Sequence, residues 1–529
     1  MGVENTGRES NLRKELGVWS LTFLAIGAIL GPAVAYVPAY VLAYSGPSGL
    51  LSWLPAFIML FITALVFVEL GTMWPKAGAV AYYPYHSNGA LAGVLNGWPA
   101  FIGYSLIMPA SLTAVVEYLS LYFPSLYANG VLTYLGVIVA IILGIIVFII
   151  HMYHVGILGN INNALTLFKV FSFLIPLIAL LAYFNPINLN NPKVGGFAPF
   201  GAPGFFAAIT ATVFAYLGFR QPVDYAEEAK NPSKDIPLAI MLALIVTMIY
   251  YIIESLAFLG VVDRGIVTSA SSWSSITNLA YPYVTAIQVT KMPAANAFIA
   301  ITVIAALVAA YTDALIYYGG AARVGYALAK YDRMLPQLFT KLNRQGMPFY
   351  SNILVFIVGL IYLALFPSFA SVFLLFTDAV LISYAPAAVS LLVFRKVYPN
   401  EHRPFRMPTA SILAPIAFIV STLLIYWSGW QSVEISVIST LVGLFLLYFY
   451  NKYVSGIKKE EIYGGLWLLI YLLALMAVAY FGSTNLDVIP SPWDTVVVVV
   501  LSIIFFYWGY YSGVRYNMAL LKTTKETKQ

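Results

Sequence analysis

The sequence predicts an all-α polytopic membrane protein with about fourteen transmembrane helices, each built on about 20 apolar residues. Hydrophobic residues make up 61% of the 529 residues and charged residues only 9%, whereas a soluble domain is about a quarter charged. Basic residues concentrate in alternate segments between the apolar runs, which places both termini on the cytoplasmic side. The chain has no cysteine, so disulfides, thiolate metal sites and cysteine nucleophiles are excluded.

The order of the apolar runs divides the chain into five parts. The first part, residues 1–17, is polar and of mixed charge, which predicts a cytoplasmic tail rather than a signal peptide. Helices 1–5 are predicted over residues 18–200, helices 6–10 over 201–396, four peripheral helices (11–14) over 397–513, and a cytoplasmic C-terminal tail over 514–529. The basic residues behind the net charge of +6 lie between the apolar runs. The lipid bilayer, and not a nucleic acid, is therefore the expected partner.

Two of the predicted helices carry residues that interrupt a helix near the middle of the membrane. Helix 1 contains Gly27, Gly31 and Pro32, and helix 6 contains Gly218 and Pro222. Proline removes a backbone donor and clashes with the preceding turn, and broken backbone is tolerated at this depth only where it lines protein or a cavity. Interrupted helices five apart indicate inverted repeats, with a binding site where the breaks meet. Simple kinks are the alternative, because glycine and proline are common in membrane helices.

Four stretches of the first ten helices carry motifs of one family. They are GAILGPA in helix 1, VELGTMWPKAGAVAYY at the end of helix 2, FAYLGF with EEAKNPSKDIPLAI around the end of helix 6, and RVGYALAKYDRMLPQLFTKLNRQGMP after helix 8. On these motifs the chain resembles the amino acid–polyamine–organocation (APC) superfamily over roughly residues 15–395. The resemblance implies a five-plus-five inverted-repeat core with discontinuous helices 1 and 6. It also implies alternating-access transport of amino acids, polyamines or related amines.

The resemblance further implies where a substrate binds. In the family, the unwound part of helix 1 offers backbone donors to a substrate carboxylate, and helix 6 adds an aromatic lid and a carbonyl. Such a helix end presents unpaired N–H groups to an anion. The matching and flanking positions in this chain are Gly27, Ile29, Gly31, Pro32 and Ala33 in helix 1 and Phe214, Leu217 and Gly218 in helix 6. Pro32 stands where the family has a serine, so one backbone donor is missing.

Arg220 lies in helix 6 at a depth where an ionised side chain is costly unless it is paired or hydrated. In the family this position is usually acidic. Asp224 follows one helical turn later, so a buried ion pair at the inner gate is one interpretation. The other is a guanidinium that binds a substrate carboxylate, since arginine is the preferred partner of carboxylates. The sequence leaves both interpretations open.

Lys169 and Asp313 are two more ionisable residues predicted at membrane depth. Each lies about eleven residues, or about 16 Å, from the cytoplasmic end of its helix, so the two side chains could meet. In some proton-coupled members of the family, a lysine at the point matching Lys169 occupies the place that sodium fills in other members. Proton coupling is one interpretation of this pair, because a lysine in a dry site loses its proton readily. A permanent Lys–Asp contact is the other.

A charged segment follows helix 6. Asp224, Glu227 and Glu228 begin it, and basic residues continue it towards helix 7. These acids predict either charge pairs that close a cytoplasmic gate or an ordinary solvated surface.

Together these features predict a secondary active transporter in the plasma membrane, moving an amino acid or a related small amine or carboxylate with protons. Exchange of one substrate for another is the alternative, and a non-transporting sensor built on the same fold also remains open. The sequence has no HExxH helix, paired-aspartate site or serine–histidine arrangement, so an enzyme is not expected. No cofactor or metal is expected either, because His151 and His154 have no third ligand nearby in sequence.

Overall fold

The computed structural model describes residues 12–332, 334–365, 378–453 and 456–526. Most of the predicted N-terminal tail, the last three residues of the predicted C-terminal tail and the junction between predicted helices 9 and 10 lie outside these ranges. The described chain is helical almost throughout, and the one sheet in it is a hairpin of β1 (Tyr127–Ala128) and β2 (Val131–Leu132). The all-α prediction is therefore confirmed.

Nineteen helices are described, in addition to short 3-10 turns. They are α1 (Val18–Ile29), α2 (Val37–Ser45), α3 (Trp53–Met73), α4 (Ala79–Asn88), α5 (Ala90–Leu119), α6 (Tyr134–Ile150), α7 (Val155–Leu181), α8 (Gly201–Ala215), α9 (Gln221–Asp224), α10 (Pro232–Leu259), α11 (Pro282–Thr290), α12 (Ala295–Lys330), α13 (Phe349–Leu365), α14 (Ala385–Val397), α15 (Ala410–Trp427), α16 (Trp430–Tyr453), α17 (Lys459–Tyr463), α18 (Leu466–Phe481) and α19 (Trp493–Glu526).

Ten helical segments of the described chain are long and apolar enough to cross a membrane. Four shorter apolar helices accompany them, namely α1, α6, α8 and α13. Their length and composition are those of a multi-pass membrane protein. The predicted count of about fourteen spans and the five-plus-five repeat stay predictions.

The helices run between two ends of the molecule. We call one the tail end, because residues 12–16 lie there beside the start of α10: the Leu16 amide donates to the Glu228 carbonyl at 3.0 Å. The other is the loop end, where the long connections meet: the Asn185 amide donates to the Gly260 carbonyl at 2.9 Å. The core lies between the two ends, around α5, whose apolar stretch is buried throughout and which packs along α12.

The structure interrupts two helices where the glycines and prolines predict. α1 ends at Ile29, and the chain passes through a 3-10 turn at Pro32–Ala35 before α2 begins. α8 ends at Ala215, and α9 resumes at Gln221.

The two interruptions touch each other. Gly218 has φ of +113°, and a Cβ atom on it would lie 2.7 Å from the Ala28 carbonyl carbon. Only glycine adopts such a backbone conformation without strain, so Gly218 allows the second interruption to pack directly against α1.

Glu69 of the second predicted helix fastens α3 to the segment that follows α14. Its carboxylate accepts hydrogen bonds from Arg395 Nε at 2.8 Å and Nη2 at 2.5 Å, and from the Met407 amide at 2.7 Å. Arg403 Nε lies 3.4 Å from the same carboxylate. Because Glu69 is fully buried, these partners together compensate its charge.

Candidate functional site

A cavity lies where the two interrupted helices meet. Its empty volume is about 370 Å³. The interrupted helices line it with Ala28, Ile29, Gly31, Pro32, Ala33, Phe214, Ala215 and Leu217, and the rest of the wall comes from Ile107, Ala110, Ser111, Asp313 and Tyr317. Most of the binding residues predicted from the sequence thus meet in one place, whereas Gly27, Gly218 and Arg220 are not part of this wall.

Asp313 of α12 supplies the carboxylate of the cavity wall. Its Oδ2 accepts a hydrogen bond from Ser111 Oγ at 2.7 Å. A Cβ atom built on Gly31 would lie 2.6 Å from the Asp313 Cγ atom, so the carboxyl group rests directly against the interruption of helix 1. Among the residues that the structure describes, no lysine, arginine or histidine lines this cavity. The fixed charge of the wall therefore favours a cationic group of a ligand.

Lys169 of α7 contacts the same helix and lies within electrostatic reach of Asp313 without a direct ion pair. Its Nζ atom donates to the Gly27 carbonyl at 2.8 Å, and no ion pair within 4.0 Å joins it to Asp313, both of which the structure describes. The two side chains instead touch α1 and its interruption one helical turn apart, at Gly27 and Gly31. The direct contact that the sequence allowed is not observed in this conformation.

Arg220 is enclosed on the tail-end side of the cavity. It is fully buried, and its Nε atom lies 3.4 Å from Asp224 Oδ2. Tyr104 bridges the pair: its hydroxyl accepts from Arg220 Nη2 at 2.6 Å and donates to Asp224 Oδ2 at 2.7 Å. Arg220 Nη1 donates to Ser383 Oγ at 2.9 Å, and the guanidinium stands 4.5 Å from the Tyr384 ring centre. This geometry is that of the ion-pair interpretation.

Further ion pairs close the tail end beyond Arg220. Glu228 receives Arg323 in a two-point contact, with 2.5 Å to Nε and 2.7 Å to Nη2. Glu227 accepts from the Tyr331 hydroxyl at 2.6 Å and lies 3.4 Å from Lys330 Nζ. Glu228 is only 1% exposed and Glu227 5%. Neither acid belongs to a solvated surface, and the cavity is closed on this side.

Aromatic side chains gather on the loop-end side of the helix 1 interruption. The rings of Tyr36 and Tyr118 are 5.9 Å apart, and those of Tyr118 and Tyr281 are 5.2 Å apart. The Tyr281 hydroxyl donates to the Glu117 carbonyl at 3.0 Å. These contacts connect the start of α2, the end of α5 and the loop before α11.

One tyrosine ties the two interrupted helices to α10. The Tyr251 hydroxyl shares its one proton between two carbonyls, that of Ile29 at 2.7 Å and that of Ala215 at 3.1 Å. These are the last residues of α1 and α8, whose carbonyls have lost their helical partners. Tyr251 thereby satisfies both helix ends in a buried site.

Sequence reasoning missed several polar residues of the site. They are Tyr104, Ser111, Tyr251 and Ser383. Each is a hydroxyl within an apolar helix, and such residues are too common in membrane helices to be singled out without knowing which face they occupy.

Comparison with known proteins places the chain in a family. The family described as amino acid permease matches residues 16–450. The chain belongs to this family. The resemblance to the APC superfamily that its motifs carry is therefore confirmed.

Three curated relatives match this amino acid permease over nearly their whole length. The glutamate/serine transporter AimA of Bacillus subtilis is 28% identical, covering 98% of this chain and 97% of the relative. The aspartate-proton symporter of the same organism is 29% identical, covering 96% and 98%. The branched-chain amino acid permease BcaP, also from Bacillus subtilis, is 25% identical over 86% of this chain and 97% of its own. The family and these relatives are transporters and not enzymes.

Proposed function

We propose that this permease carries an amino acid across the plasma membrane by alternating access, coupled to protons, with both termini in the cytoplasm. The observation that supports this most directly is the cavity formed by the two interrupted helices and Asp313. Interrupted helices at membrane depth expose backbone groups to a ligand, which is how transporters of this architecture hold small ions and zwitterions.

The charge of the cavity wall suggests how an amino acid would lie in it. Asp313 would attract the α-ammonium group, while the carboxylate would lie towards the backbone of Gly31–Ala33, where α1 is interrupted. Phe214 would cover the side chain of the substrate. The relatives named for glutamate, serine and aspartate make these three amino acids the first candidates.

Lys169 offers a physical route for coupling. Its Nζ atom donates to the Gly27 carbonyl of α1, directly before Ala28 in the cavity wall. A hydrogen bond from an ammonium group is about twice as strong as one from a neutral amine. Protonation of Lys169 would therefore hold α1 more firmly in the present arrangement, and loss of the proton would loosen it.

The buried pairs at the tail end supply a gate for alternating access. Release of substrate to that side requires Arg220–Asp224 and Arg323–Glu228 to separate or to move with their helices. Such pairs leave unpaired charge in a dry interior when they open, so opening must admit water.

Uptake by the purified protein in proteoliposomes tests this proposal. An imposed inward proton gradient should drive accumulation of labelled aspartate, glutamate or serine. Exchange without gradient-driven accumulation would instead identify a substrate exchanger. Binding, detected as a rise in melting temperature, without either flux would identify a sensor.

The proposed orientation has a separate test, because the native chain has no cysteine. Single cysteines introduced at the exposed positions Lys14 and Lys193 place one label near each end of the bundle. In intact cells, a membrane-impermeant thiol reagent should react with the cysteine at position 193 and not with the cysteine at position 14. The reverse pattern would invert the proposed topology.

A further inference from the structure

A second acidic residue lies buried between Lys169 and the loop end. Glu254 of α10 is fully buried, and neither of its carboxyl oxygens has a hydrogen-bond partner among the described residues. Its neighbour Ser255 is in the opposite situation, since it accepts from Trp53 Nε1 at 2.9 Å and reaches the Pro38 carbonyl at 3.5 Å. On this part of α10, Ser255 is therefore hydrogen-bonded while Glu254 is not.

Among the described residues, no cation compensates the Glu254 carboxyl. Tyr250 and Tyr251 on its own helix and Tyr283 of α11 are the titratable groups within its electrostatic reach. An ionised carboxylate buried among such neighbours is strongly unfavourable, so this environment favours the protonated acid.

A small cavity lies between Lys169 of α7 and Tyr250 of α10, and Phe173 also lines it. Glu254 is not among the described residues of its wall. Tyr250 stands one helical turn from Glu254 on α10, and its hydroxyl donates to the Val170 carbonyl next to Lys169, at 3.0 Å. The cavity has room for about one water molecule, which could connect groups that do not touch.

Phe173 and Tyr283 form the wall towards the loop end. Their rings are 5.3 Å apart, and Tyr283 also packs against Phe258 at 5.7 Å. The Tyr283 hydroxyl is buried without a hydrogen-bond partner in the described chain. Two buried groups, the Tyr283 phenol on α11 and the Glu254 carboxyl on α10, thus lack a hydrogen-bond partner in the described chain.

We propose that Glu254 receives protons from the loop end and passes them to Lys169 through the cavity that Tyr250 lines. The transfer breaks the O–H bond of the Glu254 carboxyl and forms an N–H bond on the neutral Lys169 amine. The Tyr250 hydroxyl accepts one proton while it releases another, which a water in the cavity carries on to Lys169. The carboxylate left behind is neutralised by the next proton from the loop end. This inference rests on the proposed proton coupling and assigns its entry route.

The Glu254→Gln variant tests the route, because glutamine keeps the shape of the side chain and cannot carry the proton. We expect at least a tenfold loss of uptake driven by a proton gradient, with exchange of labelled for unlabelled substrate within about twofold of native. Glu117→Gln is the matched control: Glu117 lies at the loop end of α5, is partly exposed and lines neither cavity. That variant should keep both activities.

The outcomes separate this inference from the proposed function. Native protein without gradient-driven uptake refutes proton coupling itself. If native protein shows gradient-driven uptake and Glu254→Gln keeps it, the proposed route is wrong while proton coupling stands. If Glu254→Gln loses exchange and driven uptake equally, Glu254 is a structural residue and the route is again wrong. Should Glu254→Gln fail to fold, Tyr250→Phe takes its place, and unchanged driven uptake in that variant overturns the route.

Infrared difference spectra give a readout that does not depend on transport. A change from acidic to alkaline buffer should remove a carboxylic acid band in native protein and in Glu117→Gln. Glu254→Gln should lack that band. An identical band in all three proteins would show that Glu254 does not exchange a proton, whatever the protein transports.

Discussion

Replacement of Arg220 should lower the stability of the folded protein, and with it the transport of every substrate to the same degree. Arg220 and Asp224 are both fully buried, with 3.4 Å between Nε and Oδ2, so Arg220→Gln leaves an acid in a dry site. Breaking a buried pair from one side costs about 3–5 kcal/mol. The double variant Arg220→Gln with Asp224→Asn removes both charges, and most of this loss should return, because no ion is then left unpaired.

The size of this effect can be compared with a second pair at the tail end. Lys330 is 15% exposed on its side chain and meets Glu227 at 3.4 Å. Because the Tyr331 hydroxyl still donates to Glu227 when Lys330 is replaced, that change does not leave the acid without a partner and should cost less. Lys330→Gln is therefore the matched control, and its melting temperature in detergent should fall much less than that of Arg220→Gln.

A substrate-binding arginine predicts a different pattern. If Arg220 held a carboxylate, Arg220→Gln would remove a charge-assisted contact of about 1.5–3 kcal/mol, and carboxylate substrates would weaken roughly ten- to hundredfold. The corresponding decarboxylated amines would be spared. Competition assays with an amino acid and its amine analogue distinguish the two cases. A selective loss for the amino acid, with no rescue by the double variant, would refute the ion-pair reasoning.

Four other changes test the site. Asp313→Asn should weaken amino acids roughly ten- to hundredfold in competition assays, because the ammonium group loses a charge-assisted contact; equal affinity would place the substrate elsewhere. Gly31→Ala should have a similar effect in the same assay by displacing the Asp313 carboxyl, which lies 2.6 Å from the added Cβ atom. Lys169→Ala should keep exchange and lose gradient-driven accumulation, measured in proteoliposomes. Gly218→Ala should lower the melting temperature, since a side chain at φ of +113° costs about 1–3 kcal/mol, and an unchanged value would contradict the packing against Ala28.

The sequence predicted the helical class and the places where two helices break. Both predictions rest on local physics: apolar length defines a span, and a proline such as Pro32 cannot continue the helical hydrogen bonds. The presence of Gly31 and Phe214 in one cavity could also be predicted, because both residues lie in motifs whose binding positions are known for the family.

The directions in which the charged side chains point could not be predicted from the sequence. Lys169 and Asp313 lie at similar predicted depths, yet they touch α1 one turn apart without meeting. Depth follows from position in a helix, but rotation about the helix axis depends on packing against neighbours. The partners of Arg220 show the same limit: Tyr104 and Ser383 come from segments more than a hundred residues away in sequence.

Tyr251 limits how the two interrupted helices can move. Its hydroxyl has one proton and faces two carbonyls, those of Ile29 and Ala215, at 2.7 Å and 3.1 Å. If α1 and α8 separate, the phenol stays hydrogen-bonded to one carbonyl, and the other carbonyl is left without a donor in a dry interior. Rocking about this point leaves both bonds in place, whereas sliding or spreading breaks one. The position of Tyr251 therefore marks a pivot, and α10 is the helix that carries it.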